Sequence, residues 1–291
     1  MIAHYIINML MQAPKFTKEE VRKWDEDFHI GDCFSDYDTL WDRHPFSLQS
    51  LDAEIKGEYI INHKDTNDRK HVAIISHGLS AMRDACIKYA KIFYDLGYNV
   101  VIYDQRYFGA STGPYCTMSQ REATDLRKVI SFSKEIFGQN MIYALHGESM
   151  GAATVLNVLD KETPEYVVAD CPFSDLGRLI DELSFKKAWI LGKPAAKRAR
   201  KIGIKRYDFD FRAVRPIDSV KVTNVPILFM HGKMDSLINC KHSEDMLSVC
   251  KNPLSRIKIF DKAEHARSYA SDREAYKEEM LSFIKDVENS Q

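Results

Sequence analysis

The stretch YALHGESMGA, residues 143–152, decides how this chain is read. Gly147-Glu148-Ser149-Met150-Gly151 fits the pattern G-x-S-x-G. Five residues match such a pattern easily by accident, so the surroundings carry the weight. An apolar run, MIYALHGES (141–149), leads straight into the serine, and MGAATVLNVLD (150–160), with helix-forming texture, leads straight out. A strand that turns sharply into a helix is the context in which the serine stands exposed as a nucleophile. Gly147 and Gly151 leave room for the turn, and Ala152 and Ala153 let the helix lie close to a sheet. The helix N-terminus places partial positive charge where an anion would develop.

Other short apolar runs repeat this texture. HVAIISHG (71–78), YNVVIYDQR (98–106), YVVADCPF (166–173), VPILFMHG (225–232) and RIKIFD (256–261) read as strands. Amphipathic helical patterns separate them. Residues 82–97 place Cys86, Tyr89, Ala90, Phe93 and Leu96 on one face, with Gly97 to end the helix. Residues 119–138 turn Leu126, Val129, Ile130 and Phe137 inward, and Ser119 with Glu122 suggests a capping box. The last helix aligns Tyr269, Tyr276, Met280, Phe283 and Val287. Continuous apolar strands alternating with helices predict an α/β fold with a mostly parallel sheet covered on both faces. Even spacing of apolar residues from Phe46 to Ile61 predicts one or two antiparallel edge strands.

About fifty residues, 174–224, separate the fourth and fifth parallel strands, where a crossover typically needs about a dozen. They are expected to form a small helical cap over the strands' carboxyl ends, the edge where open α/β sheets bind ligands. The domain organisation expected is therefore a lead-in over 1–45, a core over 46–173 and 225–291, and a cap over 174–224.

A serine hydroxyl needs a base, and the base needs an orienting acid. Asp235 follows the fifth parallel strand and His265 the sixth, so both leave the same sheet edge as Ser149. The order Ser149, Asp235, His265 is that of a triad built on such a sheet. Asp170 and Asp175 are the alternative acids. The Met150 N–H and the Leu79 N–H in SHGLS would form the oxyanion hole. Glu148 borders the elbow. His77, His146 and His231 all precede glycine at strand ends, but no carboxylate or cysteine accompanies them at ligand spacing, so no metal is expected.

In family order, the motifs HGLS, YDQRYFGASTG, GESMG, HGKMDSLI and AEHARS resemble those of the α/β-hydrolase superfamily, and within it the bacterial short-capped serine hydrolases related to esterases, lysophospholipases and prolyl-type peptidases. The resemblance runs from about Phe46 to the last helix. It implies cofactor-free cleavage of an ester, thioester or amide, with Ser149, Asp235 and His265 as triad and Leu79 and Met150 as oxyanion pair. It departs at Tyr107, where relatives carry glycine.

Composition narrows the partners. The chain has 291 residues, 45% hydrophobic, and a net charge of −1, which does not suggest a nucleic-acid binder. No apolar run reaches the length of a membrane span, so no stable membrane insertion is expected. Mean hydropathy is −0.35. The first sixteen residues read as a short amphipathic helix lying on the body. The six cysteines read as reduced thiols of a cytoplasmic protein. Residues 186–206 hold nine basic residues and no acidic one: Lys186, Lys187, Lys193, Lys197, Arg198, Arg200, Lys201, Lys205 and Arg206. They read as a solvated face, with attraction of an anionic substrate as the rival. The expected activity is hydrolysis of a small-molecule carboxylic ester through an acyl-Ser149 intermediate. A peptidase or amidase, an acyltransferase and a non-catalytic binding protein on the same fold are the alternatives.

Overall fold

The computed structural model describes residues 2–66, 68–188 and 192–290. Three helices open the chain: α1 (Ile2–Met11), α2 (Lys18–Asp27) and α3 (Asp32–Thr39). A hairpin follows, β1 (Asp42–Ser50) and β2 (Ala53–Ile61), then β3 (His71–Ser76), α4 (Ile87–Asp95) and β4 (Asn99–Tyr103). The chain continues through α5 (Glu122–Phe137), β5 (Ile142–Glu148), α6 (Met150–Asn157) and β6 (Tyr166–Asp170). After β6 come α7 (Leu176–Ala188), α8 (Gly192–Tyr207) and α9 (Pro216–Val222). The last elements are β7 (Ile227–Gly232), α10 (Lys241–Leu247), β8 (Arg256–Phe260), α11 (Ser268–Ser271) and α12 (Arg273–Glu288).

The eight strands form one sheet in the order β1-β2-β4-β3-β5-β6-β7-β8. The first three pair antiparallel and β4 to β8 run parallel with β3. Every residue of β4, β6 and β7 is buried, because helices cover both faces. One apolar layer joins α3, α4 and α12 to the sheet through residues such as Tyr37, Phe93 and Phe283. The other joins α5, α6, α9 and α10 through Leu126, Val155, Val220 and Met246. A third cluster sits over the strands' carboxyl ends and unites α1, α7 and α8 through Ile7, Leu179 and Ala199.

Several boundaries differ from the sequence reading for local reasons. The edge hairpin begins at Asp42, inside the expected lead-in. Leu96 caps α4 and stays exposed, because the chain leaves the helix there for Gly97 at φ +93°. The Ser119 side chain takes Asn157 rather than capping α5, while Glu122 accepts the Thr117 and Ser119 N–H groups, so only half of a capping box forms. The last helix is two, since the Asp272 side chain accepts the Ala275 N–H and starts α12 afresh. The helical excursion after β6 ends early, as α9 returns to the core with Val220 buried against the sheet layer. The six cysteine sulfurs are all free.

On α8 the inner face is small, with Ala196, Ala199 and Gly203 buried. Lys197, Arg198, Lys201, Lys205 and Arg206 are exposed, and Arg200 pairs with Asp210 at 2.7 Å. That is the pattern of a solvated face. The side chains of Lys186, Lys187 and Lys193 lie outside the described residues.

Candidate active site

β5 delivers Ser149 at the sheet's carboxyl edge. Its backbone sits at φ +55°, a strained value for a side-chain-bearing residue. The close approach around it requires glycines. A Cβ on Gly147 would strike the Gly151 carbonyl, and one on Gly151 would strike the Ser76 and His77 carbonyls. α6 then starts at Met150 with Ser149 at its N-cap and no side-chain cap hydrogen bond, so the serine hydroxyl is not spent on the helix end.

The Ser149 Oγ lies 2.8 Å from His265 Nε2, and His265 Nδ1 lies 2.6 Å from Asp235 Oδ2. The two loops that bring His265 and Asp235 together meet at Gly232, where a Cβ would run into the Ala263 backbone. The other carboxylate oxygen, Asp235 Oδ1, accepts the Leu237 and Ile238 N–H groups at 2.9 and 2.7 Å. Burial by itself would raise this carboxyl, but hydrogen bonding with His231 and His265 holds it well below the usual carboxylate range. Asp235 therefore stays ionised and fixes the imidazole so that Nε2 faces the serine.

The alternative acids stand elsewhere. Asp170 Oδ1 accepts from Ser268 Oγ at 2.9 Å, and burial with the nearby Glu148 charge pushes its carboxyl up to about 7. Asp175 accepts the Arg178 N–H at the start of α7. Leu79 and Met150 both line the cavity that holds Ser149. Outside the regular elements, no backbone acceptor among the described residues takes either N–H.

The three other strand-end histidines are held by hydrogen bonds to their own surroundings. His77 Nε2 accepts the Gln105 N–H at 2.9 Å, His146 Nε2 faces Tyr276 Oη at 3.1 Å, and His231 Nδ1 faces Ser243 Oγ at 2.7 Å. Burial lowers His77 and brings His146 down to about 3, so both are neutral. Among the described residues, Cys171, Asp235 and His265 are the group whose donor atoms lie close enough for a metal. Both nitrogens of His265 are already in short hydrogen bonds, and burial pushes the Cys171 thiol well up, so this set fits proton handling better than metal ligation.

The loop after β4 explains the Tyr107 departure. Tyr107 adopts φ +75°, the left-handed conformation that costs glycine nothing. Asp104 accepts the Arg83 and Ala110 N–H groups, and Arg106 pairs with buried Asp125 at 2.7 Å, so the loop is held rigidly around the strained tyrosine.

A cavity of about 300 Å³ opens beside the serine. Its walls come from the sheet edge, from α7 (Leu176, Leu179, Ile180) and from the lead-in, through Met9, Trp24 and Phe28. The lead-in thus builds part of the site. Asp25, Lys88, Glu148 and Arg267 also face this space. Of these, only Glu148 stood out in the sequence. The one sequence signal for α2 is its capping box, Thr17 with Glu20, which fixes where that helix starts.

A family model for the alpha/beta hydrolase fold matches residues 73–201. The chain has the α/β-hydrolase fold. It is 29% identical to the uncharacterized protein YqkD of Bacillus subtilis (strain 168), over 97% of this chain and 92% of that one. Among solved structures, the Pyrococcus furiosus esterase Pf2001 superposes with a TM-score of 0.69 at 20% identity, covering 86% of this chain and 93% of the esterase. A Pyrococcus horikoshii acylaminoacyl peptidase superposes with a TM-score of 0.63 at 16% identity, over 86% of this chain but only 42% of the peptidase. Among the described residues, no helix is long and apolar enough to cross a membrane.

Proposed function

We propose that this α/β-hydrolase is a serine hydrolase that cleaves carboxylic esters. The observation that carries the reading is the continuous chain Ser149 Oγ–His265–Asp235, at 2.8 and 2.6 Å, opening on a largely apolar cavity. His265 Nε2 takes the Ser149 proton as Oγ bonds to the ester carbonyl carbon. The carbonyl becomes an oxyanion held by the Leu79 and Met150 N–H groups, each contributing about 3–4 kcal/mol at the transition state. As the oxyanion collapses, the C–O bond to the alcohol breaks and His265 returns the proton to the leaving oxygen. Water then attacks the acyl-Ser149 ester, giving its proton to His265, and the acid leaves as Ser149 is reprotonated.

The cavity beside Ser149 favours an ester over a peptide, because its walls are largely apolar and offer few partners for a peptide backbone. Two helices, α7 and α8, follow β6, and α7 closes one side of that cavity with Leu176, Leu179 and Ile180. A panel of p-nitrophenyl esters of increasing chain length, run beside aminoacyl-p-nitroanilides, tests the reading. Turnover of esters with little turnover of anilides supports it. The reverse order makes the protein a peptidase.

A further inference from the structure

One wall of the otherwise apolar cavity is charged. It is formed by Asp25 in the last turn of α2, Lys88 in α4, and Glu148, the residue before the serine. The Lys88 ammonium lies 3.2 Å from Asp25 Oδ1 and 3.5 Å from Glu148 Oε2, and all three side chains are about nine-tenths buried. Tyr89 Oη donates to Glu148 Oε2 at 2.6 Å. One cation therefore stands between two carboxylates. Burial raises the Asp25 carboxyl, the Lys88 charge opposes that rise, and the Glu148 charge adds to it.

The arrangement leaves one atom unaccounted for. Asp25 Oδ2 is buried and, among the described residues, has no hydrogen-bond partner. Tying α2 to α4 needs only Oδ1, which Lys88 already holds. A buried carboxylate oxygen with no donor is costly, and such groups are rare in folded proteins. Here the residue lines the same cavity as Ser149, on the wall that also carries Lys88 and Glu148.

We propose that Asp25 Oδ2 is the acceptor of a substrate subsite, one that takes a hydrogen-bond donor, a hydroxyl or a protonated amine, carried on the arm of the ester that fills the cavity. Lys88, itself held by Glu148, keeps the Asp25 carboxylate in place, and the apolar walls pack the rest of the arm. The preferred substrate is then an ester with a polar end rather than a plain alkyl ester. This rests on Ser149 being the nucleophile.

The test compares kcat/KM for plain, ω-hydroxy and ω-amino chains of matched length. One series places the chain on the acyl side as p-nitrophenyl esters, and the other on the alcohol side as butyrate esters. Wild type should favour a donor-bearing ester in at least one series by about tenfold or more, as one hydrogen bond to a charged group allows. The hydroxy and amino arms tell which donor fits. Asp25→Asn keeps the shape but presents an amide that donates, so the preference should fall to about one or reverse. Equal rates or a preference for the plain chain in both wild-type series overturn the proposal, and this arm needs no variant to fold. A preference that persists unchanged in Asp25→Asn overturns the assignment to Asp25. Fluorophosphonate labelling of wild type is run alongside. Labelling without donor preference sinks the subsite alone, whereas no labelling sinks the hydrolase reading beneath it.

Discussion

Arg267 lies 3.7 Å over the ring of Phe28 and 4.6 Å over that of Trp24. It sits two residues beyond His265, so these contacts fasten α2 and the turn after it to the loop that carries the imidazole. An exposed cation–aromatic contact contributes about 0.5–1 kcal/mol. Phe28→Ala is therefore expected to lower stability by about 1 kcal/mol in denaturant unfolding, and to lower kcat/KM several-fold because the His265 loop loosens. Arg267→Lys keeps the charge but loses the planar stack and should lie between wild type and Phe28→Ala. Unchanged kinetics in both variants would mean that α2 does not steady the loop.

Asp235 holds one imidazole nitrogen at 2.6 Å while the other meets the serine. Asp235→Asn offers the imidazole an amide in place of a carboxylate and removes the charge that stabilises the imidazolium. Ester kcat should fall by about four orders of magnitude. Asp170→Asn, which alters the alternative acid, should leave most of the activity. Rate measurements on the two purified variants decide between the carboxylates.

The elbow depends on a missing methyl. Gly151→Ala would press a Cβ into the Ser76 and His77 carbonyls, which belong to the backbone and have nowhere to move. Overpacking of this kind costs about 1–3 kcal/mol where the surroundings yield, and β3 yields little. The variant should lose at least about 3 kcal/mol by denaturant unfolding, or fail to fold. An alanine tolerated there at full stability would show the elbow to be looser than drawn.

Asp170 gives stability a dependence on pH. Its folded-state carboxyl is pushed up to about 7, above its ordinary value of 3.8, so between those values the native state binds a proton that the unfolded chain has released. The stabilisation is complete below about pH 4 and is lost as pH rises through about 7. From pH 5 to pH 7 this group alone should remove about 2–3 kcal/mol. Asp170→Asn abolishes that slope, so its stability relative to wild type should improve as pH rises. Parallel denaturation curves for the two proteins across this range would contradict the shift.

The meeting of Ser149, His265 and Asp235 was legible because local chemistry and sheet topology agree there. A strand ending in Gly-x-Ser-x-Gly needs small neighbours wherever it occurs, and parallel strands deliver the downstream Asp235 and His265 to the same edge. The lead-in was not legible in this way. Lys18–Asp27 carries charge on nearly every face and buries only Val21 and Asp25, so no apolar stripe marks its inner side. Its partners, Lys88 and Arg267, lie 63 and 242 positions from Asp25, distances over which sequence pattern holds no signal. The excursion after β6 was visible as an excess of length. Its extent was not, because Pro216–Val222 resembles the helices before it and only its packing on the core sets it apart.

The central claim is that Ser149 Oγ is the nucleophile. It is tested most directly by treating the protein with a fluorophosphonate and locating the adduct by mass spectrometry. One phosphonyl group per chain, on the peptide containing Ser149 and absent from Ser149→Ala, is the expected result. No adduct on wild type, or an equal adduct on Ser149→Ala, would contradict it.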